Sequence, residues 1–322
     1  MLRRGRFLMC GSDFYLLLRV DLVLMRWTVW IAFGALCILS GTSWALPIEM
    51  LGELPPLEQQ GLLFVIMGLI ALLFAGGRVW SRSRGLWQAQ LAAAGVGFFG
   101  VPLVVTEYAR GSVPAMSRSA LFAVVPVVVV LVVAAGEWTG REERGARMFL
   151  MPALAGLGGL LLLLPLEFSS SVRGRVMLVV VSAAVVVAGI ASVWLYRLLR
   201  GAGLANAIAI VGLSNAAFLL VWSAVREEIV WRAGALMSAV SLASLVDVVE
   251  VLLIVWLLRE MFPIRFASRY LVIPLVTVLE SYVVMRPAFT IRMGLGTVLL
   301  AVGAGILLFW RSGEEETVLS LR

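Results

Sequence analysis

Residues Tyr108 to Pro165 read YARGSVPAMSRSALFAVVPVVVVLVVAAGEWTGREERGARMFLMPALAGLGGLLLLLP. Two apolar runs flank a short polar hinge, Glu137 to Arg144. Each run is close to the ~20 residues that carry a helix across a bilayer. Pro114 and Pro126 lie inside the first run. Membrane helices tolerate such prolines when neighbouring helices, hydroxyls or water satisfy the freed carbonyls. The stretch therefore reads as a membrane hairpin with its polar turn at Glu137 to Arg144.

Working outward, the hairpin recurs. Adding 149 to the numbering carries Arg110 onto Arg259, Pro114 onto Pro263, Ser119 onto Ser268, Gly145 onto Gly294 and Gly156 onto Gly305. Leu150 and Ala155 land on Leu299 and Ala304 by the same offset. Apolar matches come cheaply in so hydrophobic a chain, whereas prolines and arginines on one ungapped offset do not. Two homologous halves are expected, and an internal duplication shapes every later step.

Composition sets the class. The 322 residues are 62% hydrophobic and only 14% charged, with a mean hydropathy of +1.03; soluble domains of this length are far more polar. All 26 basic residues are arginine and they outnumber 19 acids, giving a net charge of +7. These arginines sit in loops between apolar runs, where membrane topology accounts for them better than nucleic acid does. Histidine is absent and the two cysteines, Cys10 and Cys37, are far apart in sequence. Metal clusters, haem, His-based catalysis and a disulfide framework are accordingly unsupported, and no cofactor is expected.

Hydropathy predicts ten spanning segments: Thr28–Met50, Pro56–Val79, Leu86–Thr106, Val113–Ala135, Gly145–Leu164, Val176–Arg197, Leu204–Ala224, Trp231–Leu258, Pro263–Val284 and Met293–Trp310. Residues 1–27 read as a cytoplasmic or interfacial segment, or as a start placed too early with Met25 the first residue. Residues 28–165 form the first repeat, 176–311 the second, and 312–322 a cytoplasmic tail. With both ends in the cytoplasm, 17 arginines fall on the inner side and seven on the outer, with Arg118 and Arg269 inside spans; this asymmetry favours that orientation. Five spans per half is an odd number, so the halves enter from opposite sides, an inverted-repeat architecture with its substrate site near the midplane.

The first span carries Gly41-Thr42-Ser43-Trp44 and leads into Leu54-Pro55-Pro56-Leu57. Pro114, Pro126, Gly136-Glu137 and Gly145 follow, and the last span ends with Gly294-Leu295-Gly296 and Gly303-Ala304-Gly305. On these motifs the chain resembles the EamA-type branch of the drug/metabolite transporter superfamily from Thr28 to Arg311. It departs where that family often has an arginine early in the second helix, here Leu62 after Glu58, Gln59 and Gln60. The second hinge, Met285-Arg286-Pro287, departs as well. The resemblance implies an all-α integral membrane protein of ten transmembrane helices in two inverted five-helix repeats. It further implies secondary transport of small metabolites, often outward, across the inner or plasma membrane, and no enzymatic activity.

Chemistry is expected where charge enters the bilayer. An ionisable side chain at that depth costs roughly 2.5–3.5 kcal/mol, so it faces protein or water and is often functional. Asp247 and Glu250 are three apart, on one face of the eighth span. Arg269 lies in the ninth, Glu280 near that helix's outer end, and Arg118 in the fourth. Depths counted at ~1.5 Å per residue suggest two ion pairs, Arg269 with Glu250 or Asp247 and Arg118 with Glu280. A coupling carboxylate, a contact for a substrate amine and an arginine holding a substrate carboxylate are the functional readings. Mutual neutralisation between packed helices is the structural one. Ser43, Trp44, Gln88, Gln90, Asn206, Ser214 and Asn215 are weaker cavity candidates, more in keeping with interhelical hydrogen bonds or interfacial anchors. The glycines of spans five and ten read as close-approach sites, within one chain or between two copies. Expected partners are a small-molecule substrate, the lipid bilayer and a second copy in a homodimer, not nucleic acid. A flippase for lipids or lipid-linked sugars is the alternative function, with an intramembrane carboxylate enzyme behind it.

Overall fold

The computed structural model describes residues 11–42, 54–75, 85–138, 145–164, 171–226, 242–285 and 290–310, with backbone alone over 11–26. Among the described residues all regular structure is helical. The helices are α1 (Gly11–Thr42), α2 (Pro56–Phe74), α3 (Gly85–Gly95), α4 (Val101–Ala109), α5 (Ala115–Phe122), α6 (Val125–Trp138) and α7 (Leu150–Leu163). The second half holds α8 (Val172–Arg200), α9 (Leu204–Arg226), α10 (Leu242–Glu260), α11 (Pro263–Ala267), α12 (Arg269–Met285) and α13 (Ile291–Phe309).

Several of these merge into longer rods. Counted that way, eight helices among the described residues are long and apolar enough to cross a membrane, including Gly85–Ala109, Met116–Gly136 and Pro263–Val284. The first expected span contributes a shorter apolar stretch, Trp27–Thr42. The eighth begins at Leu242 within the described residues and carries Asp247 and Glu250. The expected start of that span at Trp231 lies outside the described residues. So do Ser43, Trp44, the Arg141–Arg144 turn, Arg286-Pro287, the 312–322 tail and the side chain of Glu137.

Local chemistry sets the ends and the breaks. Pro56 and Pro263 occupy the first turns of α2 and α11, where the missing N–H costs nothing. Ser171 caps α8 by accepting from the Gly174 amide at 3.0 Å, and Thr290 caps α13 by accepting from Met293 at 3.2 Å. Gly145 turns the chain into the helix that continues as α7 at φ 112°, a backbone only glycine adopts without strain. Its offset partner Gly294 lies in the first turn of α13, so the two glycines do different work. Pro114 caps α5 rather than kinking it. Between α3 and α4, Val96–Gly100 winds as a π-turn. The following Pro102 has no N–H for the Phe98 carbonyl, and the wider turn absorbs that loss.

Packing is dominated by two pairs, α2 against α9 and α7 against α13. Both are glycine seams. A Cβ on Gly212 would stand 2.9 Å from the Gly68 Cα, and one on Gly303 would stand 2.5 Å from the Gly156 amide nitrogen. One on Gly159 would stand 2.5 Å from the Leu300 nitrogen. These are backbone-to-backbone approaches of the kind small residues allow in membranes. They occur within one chain, while Gly158 and Gly305 face open space. Weaker contacts join α1 to α10 and α12, and α8 to α4 and α6. Two apolar cores result, one around Leu36, Leu195, Leu257 and Phe266, the other around Val129, Leu160, Leu271 and Leu300.

Candidate functional site

A cavity of about 320 Å³ lies between α2, α3–α4 and the end of α5 on one side and α10 and α12 on the other. Its polar lining is Gln60, Thr106, Asp247, Glu250 and Arg269. Its apolar wall includes Phe64, Phe98, Phe99, Phe122 and Tyr270. That volume is near the lower end of the about 300–1,000 Å³ typical of small-molecule sites. A narrow side pocket of about 10 Å³ continues behind Gln60 and Asp247 toward Met67.

Three of the wall's aromatic residues stand four positions before a proline: Phe98 before Pro102, Phe122 before Pro126, Tyr270 before Pro274. In each helix the residue that would donate to that carbonyl has no N–H. The rods are thus weakened at one level, and there the cavity forms. The chain breaks at Ala123 and Val124, between α5 and α6, and again at Ser268, between α11 and α12. Ser268 closes its break by donating to the Arg265 carbonyl at 2.6 Å. Phe122 and Tyr270 stack across the cavity with ring centres 6.2 Å apart.

Position along the helices locates the opening. Gln60 lies one turn into α2, Thr106 one turn from the end of α4, and Asp247 in the second turn of α10. These ends share one side of the bundle, since Gln60 Nε2 donates to Asp247 Oδ2 at 3.3 Å and Ser40 near the end of α1 donates to Glu250. The opposite end is packed shut by Leu91, Leu195, Leu199, Leu257, Leu258 and Ile264, each 0–1% exposed. Arg197, Arg200, Arg259 and Arg265 sit toward that packed end.

The anticipated ion pairs are replaced by other contacts. Asp247 and Glu250 do share a face and a cavity, with Arg269 opposite them, but neither acid pairs with Arg269. Their partners are Gln60 and Ser40, polar residues of α2 and α1 that reach them first. Arg269 is 5% exposed and its guanidinium carbon lies over Phe266 at 4.5 Å, Tyr270 at 4.7 Å and Phe98 at 5.4 Å. Its Nη2 donates to the Tyr270 hydroxyl at 2.9 Å and its Nε has no hydrogen-bond partner. Arg118 does not reach Glu280. It donates from Nη1 to the Thr106 carbonyl at 2.6 Å, and its charged neighbours are Arg110 and Glu107. Glu280 is half-buried in α12, away from the cavity lining. Ser214 and Asn215 both donate to the Val211 carbonyl of their own helix, in keeping with a packing role.

Gln60, Ser40, Phe98 and Tyr270 went unflagged by the sequence reading. The aromatic–x₃–proline spacing is the signal that would have found Phe98 and Tyr270. Nothing local marks Ser40, whose importance comes from a partner 210 residues away.

Described residues whose regular structure is all helical, with eight membrane-length apolar helices among them, are the mark of a multi-pass membrane protein. No family model and no curated protein matches the sequence. Solved structures do share the fold: one crystal structure of a protein aligns at TM-score 0.67 and 20% identity, over 88% of this chain and 98% of its own. At that identity the likeness speaks for the fold alone.

Proposed function

We propose that the chain is a secondary-active transporter of small organic solutes, working by alternating access around the cavity between α2–α5 and α10–α12. The observation that carries this reading is the cavity itself, in which Asp247 and Glu250 of the apolar helix α10 converge with Arg269 of the membrane-length rod Pro263–Val284. Charges at such depth are seldom retained without a pathway to serve. The wall also draws on both halves of the sequence, as expected of a site between repeats.

Ten spans in two inverted repeats fit the packing. Exchanging the halves by the sequence offset maps α2 onto α9 and α7 onto α13, the two pairs that pack most closely. The same exchange turns the α1·α12 contact into the α8·α6 contact, and both occur. This supports membership of an EamA-type carrier family, with the cavity opening on the arginine-poor, outer side. Two acids and one arginine make a cavity of net negative formal charge, which argues against a phosphate-bearing lipid and so against a flippase.

Reconstituted vesicles test the proposal. Counterflow of a labelled amine- or amino-acid-type solute is expected with the wild-type chain and is lost in Arg269→Gln. Across pH, Asp247→Asn and Glu250→Gln are expected to change rate or pH profile. Unchanged behaviour in both would end any role for these acids in coupling. A cysteine at Thr106 is expected to react with a membrane-impermeant thiol reagent added outside whole cells, and reaction only from the inside would reverse the orientation.

A further inference from the structure

We infer that the C-terminal end of α8 is a docking surface for an anionic phospholipid, with the phosphodiester on Arg197 and Arg200 and an acyl chain along the exposed stripe that leads to Trp194. α8 has 29 residues, about 43 Å at the helical rise, against about 30 Å of hydrocarbon. Set upright, it projects about four residues beyond the hydrocarbon at either end. At the C-terminal end that projection begins at Arg197 and finishes at Arg200.

The face of α8 turned to lipid is apolar up to that point. Val179, Val186, Ile190 and Trp194 are all exposed, and their spacing puts them on one stripe of the helix. Arg197, one turn after Trp194 and itself exposed, continues the stripe. Aliphatic side chains, then an indole, then a guanidinium match the order in which a phospholipid presents its chains, ester carbonyls and phosphate.

Arg200 is held beside this stripe. Its guanidinium carbon lies 4.7 Å from the centre of the Tyr196 ring, and that ring meets Phe262 edge-on at 6.2 Å. The stack fixes one face of the guanidinium against the protein while Arg200 stays exposed. Residues three apart are neighbours on a helix, so Arg197 and Arg200 can grip the free oxygens of one phosphodiester. A Cβ on Gly201 would meet nothing within 4 Å, which leaves room for a headgroup next to Arg200.

Charge selects the occupant. Arg259 and Arg265 sit at the same end on α10 and α11, and the acid among them, Glu260, lies 3.5 Å from Arg259. The surplus of arginine favours a lipid of net negative charge, whereas a zwitterionic lipid brings its own ammonium and gains less. A second copy of the chain in the same orientation would set its arginines against these, so lipid is the partner that fits. None of these residues lines the cavity, and the inference stands or falls apart from the transport reading.

Lipid titration of the full-length protein in detergent, read by thermal unfolding, tests it. Dioleoylphosphatidylglycerol is expected to protect at a concentration at least about tenfold lower than dioleoylphosphatidylcholine. Glycerol 1-phosphate, which keeps the phosphate without the chains, is expected not to protect. Arg197→Gln combined with Arg200→Gln is expected to weaken the phosphatidylglycerol effect about 25-fold, at about fivefold per arginine. Arg226→Gln, at the opposite end of the bundle, is expected to leave it unchanged. A second measurement needs no arginine variant: brominated phosphatidylglycerol is expected to quench the tryptophan fluorescence that Trp194→Phe removes more strongly than brominated phosphatidylcholine does. Equal protection by the two lipids, a double variant that keeps the preference, protection by glycerol 1-phosphate matching that of the lipid, or equal quenching at Trp194 each overturns the inference.

Discussion

The α7·α13 seam and the cavity between α4 and α10–α12 are built on opposite plans. In the seam, backbone meets backbone: Gly156 and Gly159 lie against Gly303, Gly296 and Leu300 with no room for a methyl group. Around the cavity, helices meet through side chains that can change partners, Ser40 with Glu250 and Gln60 with Asp247. The seam leaves no freedom to shift, whereas the contacts at the cavity wall can be broken by a change of side-chain rotamer. The molecule thus divides into helix pairs locked backbone to backbone and a cavity wall joined by side-chain hydrogen bonds.

That division breaks most easily at the seam. Gly303→Val is expected to abolish folded protein, because its side chain has only the Gly156 backbone and the Pro152 carbonyl to push against. The overpacking cost is about 3 kcal/mol or more, and monodispersity on size exclusion reads it. Phe98→Ala comes next. It removes a ring from beside Arg269 and a contact with Phe99 at 4.7 Å between ring centres. Thermal stability is expected to fall by about 3 kcal/mol, with solute binding lost before folding. Ser40→Ala tests the exchangeable side of the comparison. It frees Glu250 from α1 and is expected to cost about 1.5 kcal/mol in stability while shifting the pH profile of transport. Smallest of all, Gly305→Ala and Gly158→Ala meet nothing and are expected to change stability by less than about 0.5 kcal/mol. A large loss at either would show that the glycine stripe also packs against a second copy.

The same contrast explains what could be read in advance. The positions of the eight membrane-length helices among the described residues follow from apolar run lengths, which depend on local composition, and α2, α9 and α13 begin within two residues of the expected limits. Asp247, Glu250 and Arg269 stand out because charge in hydrocarbon is rare, and all three line the cavity. Their partners could not be read, since charge balance favours ion pairs and says nothing of a serine on α1 or a ring stack on Arg269. Gly305 illustrates the opposite failure. The repeat offset marks it, yet helix rotation turns it away from the seam and gives the contact to Gly303.

The π-turn at Val96–Gly100 has one more consequence. It houses a surplus residue just before Pro102, Leu103 and Thr106, all of which line the cavity. Passing that surplus along the rod would swivel the segment beyond it by about 100°, carrying Leu103 and Thr106 off the lining without moving either helix end. A change in winding at one point would therefore redraw the α4 side of the cavity while the glycine-locked pairs stay still.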